Sequence, residues 1–262
     1  MPDWPVLVYA AVLGAVVGSF LNVCVYRWPL GQSVVRPRSR CPGCGNPIAW
    51  YDNIPLASWL ALRGRCRHCR ARISVQYPLV ELATALVWLA AAARFGVSVE
   101  AFRMAIFLTL LLGIGFTDAR HMVIPDQLSL GGTAIGLGLA ALPGGFPLLD
   151  ACLGAAAGYA FFWLVKLLAE KAFRKPALGV GDIHMMAMVG AFTGIAGALL
   201  TVLFGSLLGL VIGVPLSWWR GKLTLLGTYL PLGTFLAIGA AIAFLWGPAL
   251  VDWYLRLAVG LL

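Results

Sequence analysis

Hydrophobic residues in this chain fall in long blocks with neither the every-second-residue alternation of a half-buried strand nor a broad polar stripe. Apolar runs occupy residues 6–26, 78–93, 101–116, 128–142, 148–169, 183–195, 199–219 and 229–246. A helix crossing a bilayer takes about 20 consecutive apolar residues. The pattern therefore predicts an all-α polytopic membrane protein of about eight transmembrane helices. The two shorter runs are either re-entrant or completed by polar residues at their ends, and the residues after Pro248 read as a short amphipathic tail.

Composition narrows this further. Of 262 residues, 61% are apolar and 11% charged, whereas soluble domains have about 45–50% and about 25%. A water-soluble globular protein is excluded, and little chain is left for a large soluble domain. Glycine recurs four residues apart inside the runs, at Gly14 and Gly18, Gly132 and Gly136, Gly154 and Gly158, Gly190 and Gly194, and Gly205, Gly209 and Gly213. That spacing puts small residues on one helix face and predicts close helix packing in lipid.

The formal charge is +9, from 19 basic and 10 acidic residues, which alone suggests a nucleic-acid or anionic-surface partner. Position decides between them. The first run has Asp3 before it and Arg27, Arg36, Arg38 and Arg40 after it, the reverse of a cleaved signal peptide. It reads as a retained first span with its amino terminus outside the cytosol. Threading eight spans from there puts 16 of the 19 basic residues on the cytosolic side, with only Arg94, Arg103 and Arg256 opposite, as the positive-inside rule requires. Membrane lipid then accounts for the charge, and no nucleic-acid partner is needed.

Four of the six cysteines form two Cys-x-x-Cys pairs in the cytosolic segment, Cys41 with Cys44 and Cys66 with Cys69, separated by 21 residues. Two such knuckles can supply four thiolates to a structural zinc ion, which would replace the core that a polar loop lacks. A pair of redox motifs is the alternative. Cys24 and Cys152 lie in apolar runs and read as small core residues.

Ionisable residues at helix depth are costly and mark function by default. Asp118 closes the third run in Gly115-Phe-Thr-Asp118, and Asp182 opens the sixth in Gly179-Val-Gly181-Asp182. Both fall at the cytosolic edge, where two carboxylates brought together would split into one acid and one base. Gly179 and Gly181 would let an extended substrate approach. An ordinary helix cap or solvated helix end is the competing reading for each aspartate. Asp126 reads as a cap of the fourth span. His121, three residues after Asp118, suggests a metal site only if the helix continues there, which Pro125 opposes, and His184 points away from Asp182.

The ordered set of Gly18-Ser-Phe-Leu-Asn22-Val-Cys-Val-Tyr26-Arg27, the two cysteine knuckles, Tyr77-Pro-Leu-Val-Glu81, Asp118, Ile124-Pro125-Asp126 and Gly179-Val-Gly181-Asp182 resembles the bifunctional type IV prepilin peptidases. The resemblance covers nearly the whole chain. It implies an enzyme of the bacterial inner membrane that cuts the basic leader of type IV prepilins and of type II secretion pseudopilins on the cytosolic side, with Asp118 and Asp182 catalytic. It also implies methylation of the new amino terminus with S-adenosylmethionine. In the family a glycine and a lysine precede the third cysteine; here they are Gly64 and Arg65, and arginine keeps the charge without the point-like geometry. Asn22, Arg27, Gly64, Arg65 and Glu81 are the candidate cofactor residues, with an interhelical hydrogen bond for Asn22 and an interfacial charge for Glu81 as alternatives. The expected division is a first transmembrane helix at 1–26, the cysteine module at 27–77 and the peptidase domain at 78–262. A transporter or proton pathway through Asp118 and Asp182 is the chief rival, and a membrane-anchored zinc-ribbon interaction protein is a third reading that leaves the aspartates unexplained.

Overall fold

The computed structural model describes residues 3–175, 178–219 and 231–260, and these contain helices, two isolated β-bridges and no strand. The chain forms two compact units, Met1–Thr109 and Leu110–Leu262.

In the first unit, helix α1 (Trp4–Arg27) starts with a proline in its first turn, where the missing N–H costs nothing, and passes into a 3-10 turn that ends at left-handed Gly31. A polar stretch with the short helix α2 (Ala57–Ala61) follows, then α3 (Gln76–Phe95), which stops at Gly96 with φ 64°. Helices α1 and α3 meet at glycine. A Cβ on Gly14 would stand 2.7 Å from the Thr84 carbonyl oxygen and 2.9 Å from the Ala85 Cα, and one on Gly18 would stand 2.9 Å from the Glu81 Cα. Helix α4 (Val99–His121) begins in this unit and is tied to α3 where Trp88 Nε1 donates to Thr109 Oγ1 at 3.1 Å.

The second unit contains the rest of α4, then α5 (Asp126–Ala140), α6 (Leu148–Phe173), α7 (Val180–Leu208), a π-helical stretch at Gly209–Gly213, α8 (Val214–Trp219) and α9 (Leu232–Gly260). Helix α7 is its centre, with Ile183 and every residue from Met185 to Phe192 buried. Gly190 and Gly154 touch backbone to backbone, and Gly158 lies against the Met186 carbonyl; Gly132 and Gly136 of α5 receive Met188 and Phe192. The expected glycine seams are thus the helix interfaces.

Helix α7 also doubles back. Gly194 has φ 69° and ψ −174°, outside helical geometry. The first arm begins at Gly181 against Ile124, which also touches Gly233 at the start of α9, while the second arm ends with Gly205 and Gly209 against Leu236 and Phe235 of that same end. A straight helix of 29 residues would separate its ends by about 43 Å. Two arms, Val180 to Thr193 and Ile195 to Leu208, are therefore folded on one another about Gly194.

Six helices among the described residues are long and apolar enough to cross a membrane: α1 with its extension, α3, α4, α6, α7 continued to Leu216, and α9. The all-α polytopic expectation holds, and the count of eight is approximate for identifiable reasons. The runs at 183–195 and 199–219 are the two arms of α7. The run at 128–142 is α5, whose 15 residues span about 22 Å, short of a bilayer core of about 30 Å. The expected tail after Pro248 is instead the continuation of α9, which carries Pro248 within it. Cys24 is buried as expected, but Cys152 is exposed on the outer face of α6.

The Gly154–Gly190 contact leaves no room for a side chain. Gly190→Val is expected to destabilise the protein by about 1–3 kcal/mol through overpacking, whereas Gly138→Ala, in open space on α5, is expected to be neutral or stabilising by up to about 1 kcal/mol. Unfolding curves of the two variants in detergent check the difference.

A candidate two-aspartate site and a four-cysteine metal centre

Asp118 sits in the last turn of α4 and is only 6% exposed. Its Oδ2 accepts the backbone N–H of Thr234 at 2.7 Å and lies 3.0 Å from the Thr234 hydroxyl, which is also 3.2 Å from the Gly115 carbonyl oxygen. Thr234 is the third residue of α9, so its N–H belongs to the group that a helix start leaves without a full internal partner. Asp118 thus caps a helix remote in sequence. Asp182, the third residue of α7, follows Gly181, which meets Ile124, and Ile124 also meets Gly233 beside the Asp118 carboxylate, so the two aspartates flank one side chain.

Glycine and Ile124 shape the space around the pair. A Cβ on Gly179 would stand 2.9 Å from Asp182 Oδ2, and one on Gly233 would stand 3.0 Å from Asp118 Cγ. Gly179 therefore keeps the approach to its carboxylate clear. Gly181 does not: its bare face is filled by Ile124, whose Cβ lies 2.9 Å from the position a side chain would take. Thr234 and Gly233 escaped the reading of the sequence, although a threonine three residues after Pro231, at the start of an apolar run, is a helix-start signal.

The expected cap at Asp126 is overturned. Pro125 holds the cap position of α5, and the Asp126 side chain makes no cap bond. Its Oδ1 instead lies 2.8 Å from His184 Nδ1, and the His184 ring stacks on Tyr159 at 6.3 Å. His184 does point away from Asp182, as expected, and this gives it those partners. Helix α4 continues through His121 despite Pro125, because the break comes at Met122, with φ 53°. Among the described residues only the four cysteines are close enough together to hold a metal ion.

The two cysteine knuckles fold alike. In the first, Gly45 N–H donates to the Cys41 carbonyl at 2.8 Å and Arg40 bridges Pro47; in the second, Arg70 N–H donates to the Cys66 carbonyl at 3.1 Å and Arg65 bridges Arg72. Gly45 and Arg70 both take positive φ, 71° and 60°. The four Sγ atoms lie within 4.8 Å of one another, and Cys41 and Cys69 are 3.7 Å apart. A tetrahedral zinc site with bonds of about 2.3 Å needs sulfurs about 3.8 Å apart, so the set fits. Backbone N–H groups of Cys69 and His68 face the Cys66 sulfur and bring its thiol down to about 6, while partial burial and the neighbouring thiols push Cys69 up to about 11 against the Ala71 N–H, so without a metal the four sulfurs share their protons unequally. Arg67 ties the second knuckle to the turn Trp50–Asn53 by a two-pronged pair with Asp52, at 2.5 and 2.8 Å, and holds that carboxyl below the usual range.

The five candidate cofactor residues divide. Asn22 and Glu81 are buried in the α1–α3 unit. Asn22 Nδ2 donates to the Tyr77 carbonyl at 3.0 Å, and Glu81 Oε2 accepts the Leu56 N–H at 2.8 Å. Arg27 donates to the Ser33 carbonyl at 2.9 Å. Gly64, with φ 64°, is covered by the Trp59 indole, and Arg65 is exposed. Glu81 thus fastens the polar stretch to α3 at Leu56, itself held at φ 61°. Glu81→Ala leaves the Leu56 N–H without its acceptor and is expected to cost about 1–3 kcal/mol. Glu81→Gln keeps an acceptor and is expected to cost less. Limited proteolysis between residues 45 and 65 distinguishes them, with faster cutting in the alanine variant.

The chain matches the bacterial peptidase A24 N-terminal domain over residues 12–95 and the type IV leader peptidase family over residues 105–214. It is 46% identical over 215 residues to a prepilin leader peptidase/N-methyltransferase of Myxococcus xanthus, a match that takes in 82% of this chain and 64% of that protein's length. It is 40% identical to the protein so named from Pseudomonas putida, over 91% of this chain and 90% of that one, and 38% identical to that of Stutzerimonas stutzeri, over 95% and 93%. No solved structure matches. With two family profiles that together reach across most of its length and two relatives 38–40% identical over nine-tenths or more of both chains, the chain belongs to the type IV leader peptidase family.

Proposed function

We propose that this protein is a membrane-embedded aspartic endopeptidase of the bacterial inner membrane that removes the leader of type IV prepilins and of type II secretion pseudopilins, then N-methylates the new amino terminus. The observation that carries the reading is the convergence of Asp118 on α4 and Asp182 on α7 around Ile124, at helix ends where Gly179 leaves the Asp182 carboxylate open. Two carboxyl groups brought together at one site cannot both ionise readily. One is then the acid and the other the base that activates water against a peptide carbonyl. The 16 basic residues on one side of the threading support cytosolic active sites and a periplasmic amino terminus. A transporter using the same aspartates draws no support from the family or from the cysteine centre.

In this reading residues 1–26 anchor the chain, residues 27–77 form the methyl-transfer module and residues 78–262 carry the peptidase. Zinc held by Cys41, Cys44, Cys66 and Cys69 has a closed shell and is structural, with no open position for chemistry. S-adenosylmethionine supplies the methyl group. Arg27, Gly64 and Arg65 are its proposed contacts, with Asn22 and Glu81 contributing through the backbone that they hold.

Asp118→Asn and Asp182→Asn keep shape but remove the acid–base partner, so each single variant is expected to lose leader cleavage about as completely as the double, as residues acting as a unit do. Mass spectrometry of a prepilin incubated with each variant reads this directly, and cleavage near the parent rate by a folded, inserted variant refutes the pairing. Replacing Cys66 and Cys69 by serine is expected to release one zinc per chain and to impair methylation of an already cleaved pilin more than cleavage itself. Elemental analysis that finds no zinc in the parent protein refutes the metal assignment.

A further inference from the structure

Thr234 makes the two aspartates unequal. It offers Asp118 Oδ2 two groups able to donate, its N–H at 2.7 Å and its hydroxyl at 3.0 Å. Asp182 is faced by a single backbone donor, Gly179, and by no side-chain donor among the described residues. Hydrogen bonds received by a carboxylate favour its charged form. We infer that Thr234 is a positioning residue that holds Asp118 as the ionised member of the pair, which makes Asp118 the general base and Asp182 the carboxylic acid. This rests on the peptidase reading above and adds to it the direction in which protons move.

The Asp118 carboxylate takes a proton from water as the water oxygen bonds to the scissile carbonyl carbon, and Asp182 gives its proton to the carbonyl oxygen. Asp118, now protonated, delivers that proton to the leaving nitrogen as the C–N bond breaks. Asp182 takes back a proton from one hydroxyl as the new carboxyl C=O forms. Both side chains end as they began, and one water is consumed.

One alternative uses the same atoms. Oδ2 could carry the proton and donate to the Thr234 hydroxyl, which would pass its own hydrogen to the Gly115 carbonyl at 3.2 Å. The short N–H contact, in the charge-assisted range of about 2.7–2.9 Å, favours the ionised form. The two arrangements also respond oppositely to loss of the hydroxyl. If the hydroxyl donates to a carboxylate, its removal makes the base harder to ionise. If it accepts from a carboxylic acid, removal does the reverse.

The test is the pH dependence of kcat/KM for leader cleavage by the full chain in detergent, acting on a prepilin with its leader and first hydrophobic segment. Among the described residues the other titratable or charged groups near these helix ends are Asp182 and His184 on α7, Asp126 on α5 and Arg120 and His121 on α4; the variants alter none of them. Thr234→Val is expected to move the acidic limb of the profile to higher pH by about one unit, a tenfold loss at a pH on that limb, with a much smaller loss on the plateau. Thr234→Ser is expected to follow the parent, and Thr234→Ala serves if the valine variant fails to insert. A limb that stays in place in the hydroxyl-free variants, or moves to lower pH, overturns the inference, as does a fall in rate that is uniform with pH. A parent protein that cuts no prepilin at any pH overturns the peptidase reading itself, so the two failures are distinguishable.

Discussion

The backbone contact between Gly154 of α6 and Gly190 of α7 is the constraint on which the second unit rests. Lipid tails are as apolar as leucine, so helices in a bilayer gain nothing by hiding apolar side chains from one another; close packing must hold them. Helix α7 is surrounded on its first arm, with Ile183 and Met185 to Phe192 buried. Only glycine lets its backbone come near enough to α6 for that. The methionines at 185, 186 and 188 fill the irregular space that remains, a use suited to an unbranched, flexible side chain. Since the same arm carries Asp182, the seam that packs the bundle also sets where that carboxylate stands.

Polar groups inside the bundle follow two patterns with different consequences. Thr84 and Thr201 each bond the carbonyl four residues back in their own helix, at 2.7 and 2.8 Å. Such hydroxyls are satisfied locally and tie nothing together. Asn22, Glu81 and Asp118 cannot do this and reach the backbone of a distant segment instead: the Tyr77 carbonyl, the Leu56 N–H and the Thr234 N–H. Each joins two elements at a polar atom that would otherwise be costly to bury.

How much of this was legible in the sequence depends on the range of the interaction. The apolar runs and the glycine spacing are local, and both were readable. The double-back at Gly194 was readable only as a gap between two runs, because no repeat of residues encodes a backbone angle. Asp126 was misread as a cap because it stands at a helix start, where aspartate usually caps; its partner His184 lies 58 positions away. Pro125 misled in the same way at His121, since a proline four residues on did not end α4 where proximity suggested. Asn22 and Glu81 were found as polar residues at helix depth, but their backbone partners were not visible.

The two centres differ in the same respect. The cysteine cluster is made by two short turns, each fixed by its own Cys-x-x-Cys spacing, and the repeated bond from position 45 to 41 and from 70 to 66 shows the same local geometry used twice. Spacing alone was therefore enough to find it. The aspartate pair is assembled from α4 and α7, and the threonine that orients it comes from α9, 116 residues away. Residue type and depth in the membrane were enough to find the two carboxylates, because a charge there needs a reason. A threonine in an apolar helix needs none, since it can bond its own backbone, as Thr84 and Thr201 do. What sets Thr234 apart is its place in the first turn of a helix, where its backbone N–H faces outward from the helix start and a carboxylate from another helix can meet it. That is a property of the assembled bundle.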